Sequence, residues 1–111
     1  MRVLAYQNAI EALSDLAYYY DKHMQAEMES RELPTEFAAK LALFQDQAFP
    51  KVRKYADSGA FLFSDRANAA LRKFVEDDDA QSYFEHLDAN LFKAKTCLKE
   101  LVECCKEDLK L

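Results

Sequence analysis

Three carboxylate pairs spaced one helical turn apart, Glu29 with Glu32, Glu85 with Asp88 and Glu100 with Glu103, are the first groups here that could do chemistry. Two acids at that spacing share a helix face and can hold a hard divalent cation through oxygen ligands. Such a site needs its carboxylates turned inward. Phase opposes this: Glu85, Asp88, Glu100, Glu103 and Glu107 fall opposite Leu87, Leu91, Leu98 and Leu101 of the same segment, where a water-facing acidic stripe is expected.

The pairs invite comparison with the all-α nucleotide pyrophosphohydrolases, whose signature begins with two adjacent glutamates. No Glu-Glu pair occurs in this sequence. The thiols offer no better centre. Cys97, Cys104 and Cys105 are odd in number and lack CxxC or Cys/His ligand spacing, so neither a disulfide framework nor a structural zinc site is expected. His86 and Cys97 share a helix but would stand about 16 Å apart along it, too far to hold one ion. His23 lies one turn from Glu27, with no serine, cysteine or acidic pair converging on it. The sequence therefore reads as non-enzymatic, with no catalytic residue, no metal set and no cofactor site.

The elements that carry these residues follow from periodicity. Val3, Tyr6, Ile10, Leu13, Ala17, Tyr20 and Met24 alternate three- and four-residue steps, a helix seam, and Ala5, Ala9, Ala12, Leu16 and Tyr19 widen it. The first helix covers residues 3 to 32, because Pro34 pushes its predecessor out of the α region. The second spans 35 to 56, with Phe37, Leu41, Phe44, Ala48, Val52 and Tyr55 on one face, a kink or short break at Pro50, and Gly59 as a left-handed C-cap. The third is short, 65 to 77, capped by Ser64. The fourth, 79 to 110, starts from Asp78 or Asp79 and carries Phe84, Leu87, Leu91, Ala94, Leu98, Leu101 and Cys105 along its seam, with Asn90 inside the apolar arc as a satisfied core amide or an edge position, a register-fixing amide being the alternative. The sum is a single all-α domain over residues 1 to 111, an up-down antiparallel bundle of four helices.

Composition bounds the partners. With 111 residues, one Gly, two Pro and 50% hydrophobic residues, the chain suits one helical domain. Its formal net charge of -5 argues against nucleic acid, because Lys51, Arg53 and Lys54, or Arg66, Arg72 and Lys73, are too few to form a basic stripe. No run is long and apolar enough for a membrane span, and the first ten residues lack the form of a signal peptide, so a cytoplasmic location is expected.

Unequal helix lengths point to a partner. A short third helix would leave Val3, Tyr6 and Ile10 facing Leu101, Cys105 and Leu109 under only two helices, and a homodimer would close that end. Phe92 and Tyr18 project opposite their seams as further interface aromatics. The stretch Gly59 to Phe63, "GAFLF", is expected to fold back as a plug between the second and third helices, with exposure of Phe61 and Phe63 as a docking peptide the alternative.

The helix opening "AYQNAIEALSDL", the central "FLFSDRANAALRKF" and the closing "LVECCKEDL" resemble uncharacterised helical proteins and domains of bacterial genomes and mobile elements. That resemblance implies a helical bundle of no known activity. The functional expectation is self-association or protein binding through Tyr6, Ile10, Leu101 and Leu109, with Phe92 as a second patch. The alternative is a small-ligand or nucleotide-handling bundle, with or without Mg²⁺, using Asn90, Tyr6 and Tyr20.

Overall fold

The apolar seams close on one another in the computed structural model, which describes residues 2–59, 61–77 and 79–110. Four helices follow in order, α1 (Arg2–Met28), α2 (Thr35–Ser58), α3 (Asp65–Val75) and α4 (Tyr83–Leu109), with no strand among the described residues. Helix α1 packs on α2 and α4, and α3 packs on the same two, whereas the diagonal pairs make no close approach among the described residues. The helices thus stand at the corners of a square, each beside its neighbours in sequence. Leu13 and Leu16 of α1, Val52 of α2, Leu71 of α3 and Leu101 of α4 are fully buried in one core. No helix is long and apolar enough to cross a membrane among the described residues.

Helix α2 runs two residues past the expected 56, to Ser58, and α3 stops two short of 77, at Val75, while three further departures at helix ends each have a local cause. Helix α1 stops at Met28, before Pro34 can act, because Ser30 takes a left-handed conformation with φ 52°. The Arg31 N–H then donates to the Ala26 carbonyl at 3.0 Å and the Ser30 N–H to Glu27 at 3.1 Å, a Schellman closure. Helix α4 begins at Tyr83 instead of residue 79. Its N-cap is Ser82, whose hydroxyl accepts from the Glu85 N–H at 3.1 Å, while the Glu85 carboxylate accepts from the Gln81 N–H at 2.8 Å. Asp79 stays in the exposed connection, and Asp78 lies outside the described residues.

Gly59 is the third difference. Its φ of -89° is not left-handed, so conformational freedom is not what the position requires. A Cβ there would meet the Tyr55 carbonyl oxygen at 2.5 Å and the Phe63 ring at 3.0 Å, so the glycine is needed for close approach. Helix α2 carries Pro50 without a break, on its exposed side, where water can serve the carbonyl that loses its donor. Ser64 caps α3 as its sequence requires, accepting from the Ala67 N–H at 3.2 Å.

Candidate functional site

The end expected to lie open is closed by the chain itself. Phe63 turns inward between Tyr6 of α1 and Tyr55 of α2, with edge-on rings at 5.0 Å and 5.4 Å. The buried Asn68 amide donates to the Phe63 carbonyl at 3.3 Å, which holds the turn down. The Tyr6 hydroxyl donates to the Asp108 carboxylate and accepts from the Ser64 N–H at 3.4 Å. Burial and the Asp108 carboxylate raise the Tyr6 phenol above its ordinary pKa, so it stays a donor. Tyr6, Phe63 and Leu101 therefore belong to the chain's own core, and Ile10 and Leu109 are half-buried beside it. Helix α3 is instead missing from the opposite end, where Tyr83, Phe84 and Met28 are exposed. Tyr18, on the outer side of α1, packs edge-on against Phe37 and Phe44 of α2 at 6.4 Å and 6.0 Å.

The acidic stripe of α4 is not simply solvated. Arg66, in the first turn of α3, reaches Glu100 and Glu103 at 2.6 Å each and Glu107 at 3.3 Å. The guanidinium holds the Glu100 carboxyl below the usual range, and those carboxylates raise the guanidinium pKa further above its ordinary value. Half-exposed pairs of this kind add little stability, but a fork gripping three successive turns helps to fix the register of α3 along α4. Sequence reasoning placed these acids in water because the single cation that gathers them sits 34 residues earlier than Glu100.

That register creates a groove. Between α3 and α4 a hollow of about 360 Å³ is floored by Ala69 and Ala70 of α3 and by Thr96 and Cys97 of α4. These small side chains lie between taller ones, Phe74 and Phe92 toward one end and Arg66 with Glu100 toward the other. Phe92 forms a wall with 70% of its surface exposed. Lys73 and Lys93 stand on the rim, and the Lys93 ammonium donates to the Glu76 carbonyl at the C-terminal end of α3 while lying 6.0 Å from the centre of the Phe74 ring. The lining holds Arg66, Lys73 and Lys93 with Glu100, but Arg66 is spent on Glu100, Glu103 and Glu107, so the positive character of the rim rests on Lys73 and Lys93 alone, on a chain of net charge -5. Of these residues Phe92 alone is read from the sequence as an interface residue, while Glu100, Cys97, Arg66 and Lys73 are named there only as candidate ligand, thiol or basic positions. The others read as ordinary core or surface positions, because a hollow between two helices has no signature in either one.

The remaining titratable groups are turned to structural use. Cys97 lies buried under the groove and its thiol is pushed up to about 12 by burial, with Cys104 raised by the same cause. His23 stacks on Tyr19 at 4.6 Å, and burial lowers its pKa. The buried Asn90 amide donates to the His86 carbonyl at 2.8 Å, within α4. No group of three or more His, Cys, Asp or Glu side chains among the described residues is placed to hold a metal ion. Tyr6 and Asn90, named for ligand binding in the alternative reading, spend their polar groups on partners inside the chain. No protein-family profile, no curated protein and no solved structure matches this chain.

Proposed function

We propose that this protein is a non-enzymatic interaction module that receives an apolar side chain of another protein in the groove between α3 and α4. The observation that carries the reading is the pairing of an open apolar floor with a cationic rim at Lys73 and Lys93, on a molecule otherwise acidic. An exposed aromatic wall such as Phe92 is the type of residue on which interfaces concentrate their energy. The rim would attract an acidic partner before contact and select against a basic one.

The test uses 1-anilinonaphthalene-8-sulfonate, an aromatic anion that shares the apolar and anionic character required of the occupant. The native protein is expected to enhance its fluorescence, and Thr96→Glu, an exposed change on the groove floor, to abolish the enhancement. Val3→Ser, at an exposed position on α1, should leave it intact. Absence of enhancement, or loss in Val3→Ser with retention in Thr96→Glu, would remove the groove from consideration.

A further inference from the structure

The molecule carries a knob as well as a hole. Phe61 is 93% exposed, while its neighbour Phe63 is buried and Leu62 half-buried, so the apolar turn is divided between an inward plug and an outward aromatic. Asp57 and Asp65 flank it, both exposed. Asp65 has a local use, because an acid in the first turn of α3 favours the positive end of that helix. Asp57 sits in the last turn of α2, at the negative end of the helix dipole, which disfavours a carboxylate, with Arg53 and Lys54 one turn before it. An aromatic between two carboxylates complements an apolar groove between lysines.

Resting on the groove reading above, we infer that the occupant is a second copy of this chain, whose Phe61 enters the groove at Ala69, Ala70 and Thr96 while Asp57 and Asp65 approach Lys73 and Lys93. The knob lies next to the hole along the chain, since Phe61 precedes Arg66, at the groove's near end, by one short turn. A two-fold axis can therefore seat each Phe61 in the other copy's groove, giving a closed pair that leaves no spare knob to propagate a filament. A buried phenylalanine supplies a large apolar area for such a contact, and Asp57 and Asp65 beside Lys73 and Lys93 form short-range pairs that offset part of the repulsion between two copies of net charge -5.

The test is absolute mass by light scattering over a dilution series, with circular dichroism on every variant to show that it folds. The wild type is expected to approach twice 12.8 kDa at high concentration and to dissociate on dilution. Phe61→Ser removes the knob and Ala69→Glu blocks the hole, both at exposed positions, and because each loses both symmetry-related contacts of the pair, each should raise the dissociation constant roughly a thousandfold, about thirtyfold for each anchoring aromatic lost. An equimolar mixture of the two variants should contain more dimer than either alone, because the intact hole of one receives the intact knob of the other. A wild type still monomeric at about 0.5 mM, a dimer indifferent to both changes, or a mixture no better than its components would overturn the inference. If the fluorescent anion still binds in the groove while self-association fails, the groove reading stands and its occupant is another protein.

Discussion

The Tyr6 hydroxyl donates to the Asp108 carboxylate across 102 residues of sequence and ties the first turns of α1 to the last turns of α4. The same oxygen accepts from Ser64 at the start of α3, so one phenol joins three helices at the end that Phe63 fills. Removing it in Tyr6→Phe keeps the ring packing and deletes a charge-assisted hydrogen bond. The expected loss is about 1.5 kcal/mol, read as a lower urea midpoint with an unchanged slope.

The two phenylalanines of the "FLF" turn should respond in opposite ways. Phe63→Ala empties the space between Tyr6 and Tyr55 and should cost about 3 to 5 kcal/mol. Phe61→Ala removes a side chain in water and should change the unfolding free energy of the monomer by no more than about 0.5 kcal/mol. Equal effects in dilute solution would mean that the inward and outward assignments are wrong.

Ser30 holds a left-handed conformation that a side chain disfavours, at the Schellman closure of α1. Ser30→Gly relieves that strain without touching the core and is expected to stabilise the protein by about 1 kcal/mol. A thermal melt is sufficient to detect it. A destabilised variant would show that α1 does not end there.

Thiol reactivity should separate the cysteines. Cys97 and Cys104 are buried, and burial lifts both thiols, that of Cys97 to about 12, so at pH 8 neither presents an appreciable thiolate. Cys105 is partly exposed. An aromatic disulfide reagent should therefore titrate one thiol per chain in the native protein and all three in denaturant. Fast labelling of Cys97 would imply that α3 lifts away from α4.

How much of this was legible in the sequence depended on whether a feature belongs to one helix or to two. The seams of α1 and α4 repeat within a single helix, so their existence, phase and order could be read directly. Ser64 could also be read, because no better cap stands near it. Helix α4 starts later than expected because Asp78, Asp79 and Ser82 are competing caps, and Ser82 with Glu85, an S-x-x-E pattern legible in the sequence, is the pair that the helix uses. Gly59 was misread because its reason is the Phe63 ring, a contact made after the turn. The plug expected from "GAFLF" is present at Phe63 but not at Phe61, and it packs on Tyr6 as well as Tyr55, so it covers the end that helix length alone would leave open. The groove was least legible. It exists because Ala69 and Ala70 come to face Thr96 and Cys97, a register that the core packing of Ala67, Leu71 and Phe74 and the Arg66 contacts to Glu100, Glu103 and Glu107 share across two helices.

The measurement that bears most directly on the groove as the meeting surface is a methyl NMR dilution series of the wild-type protein. The methyl signals of Ala69, Ala70 and Thr96 should move with concentration, together with the ring signals of Phe61 and Phe92, while those of the buried Ala9 and Ala12 in α1 stay fixed. Concentration-independent groove signals, or movement confined to α1 and the last turns of α4, would contradict the account.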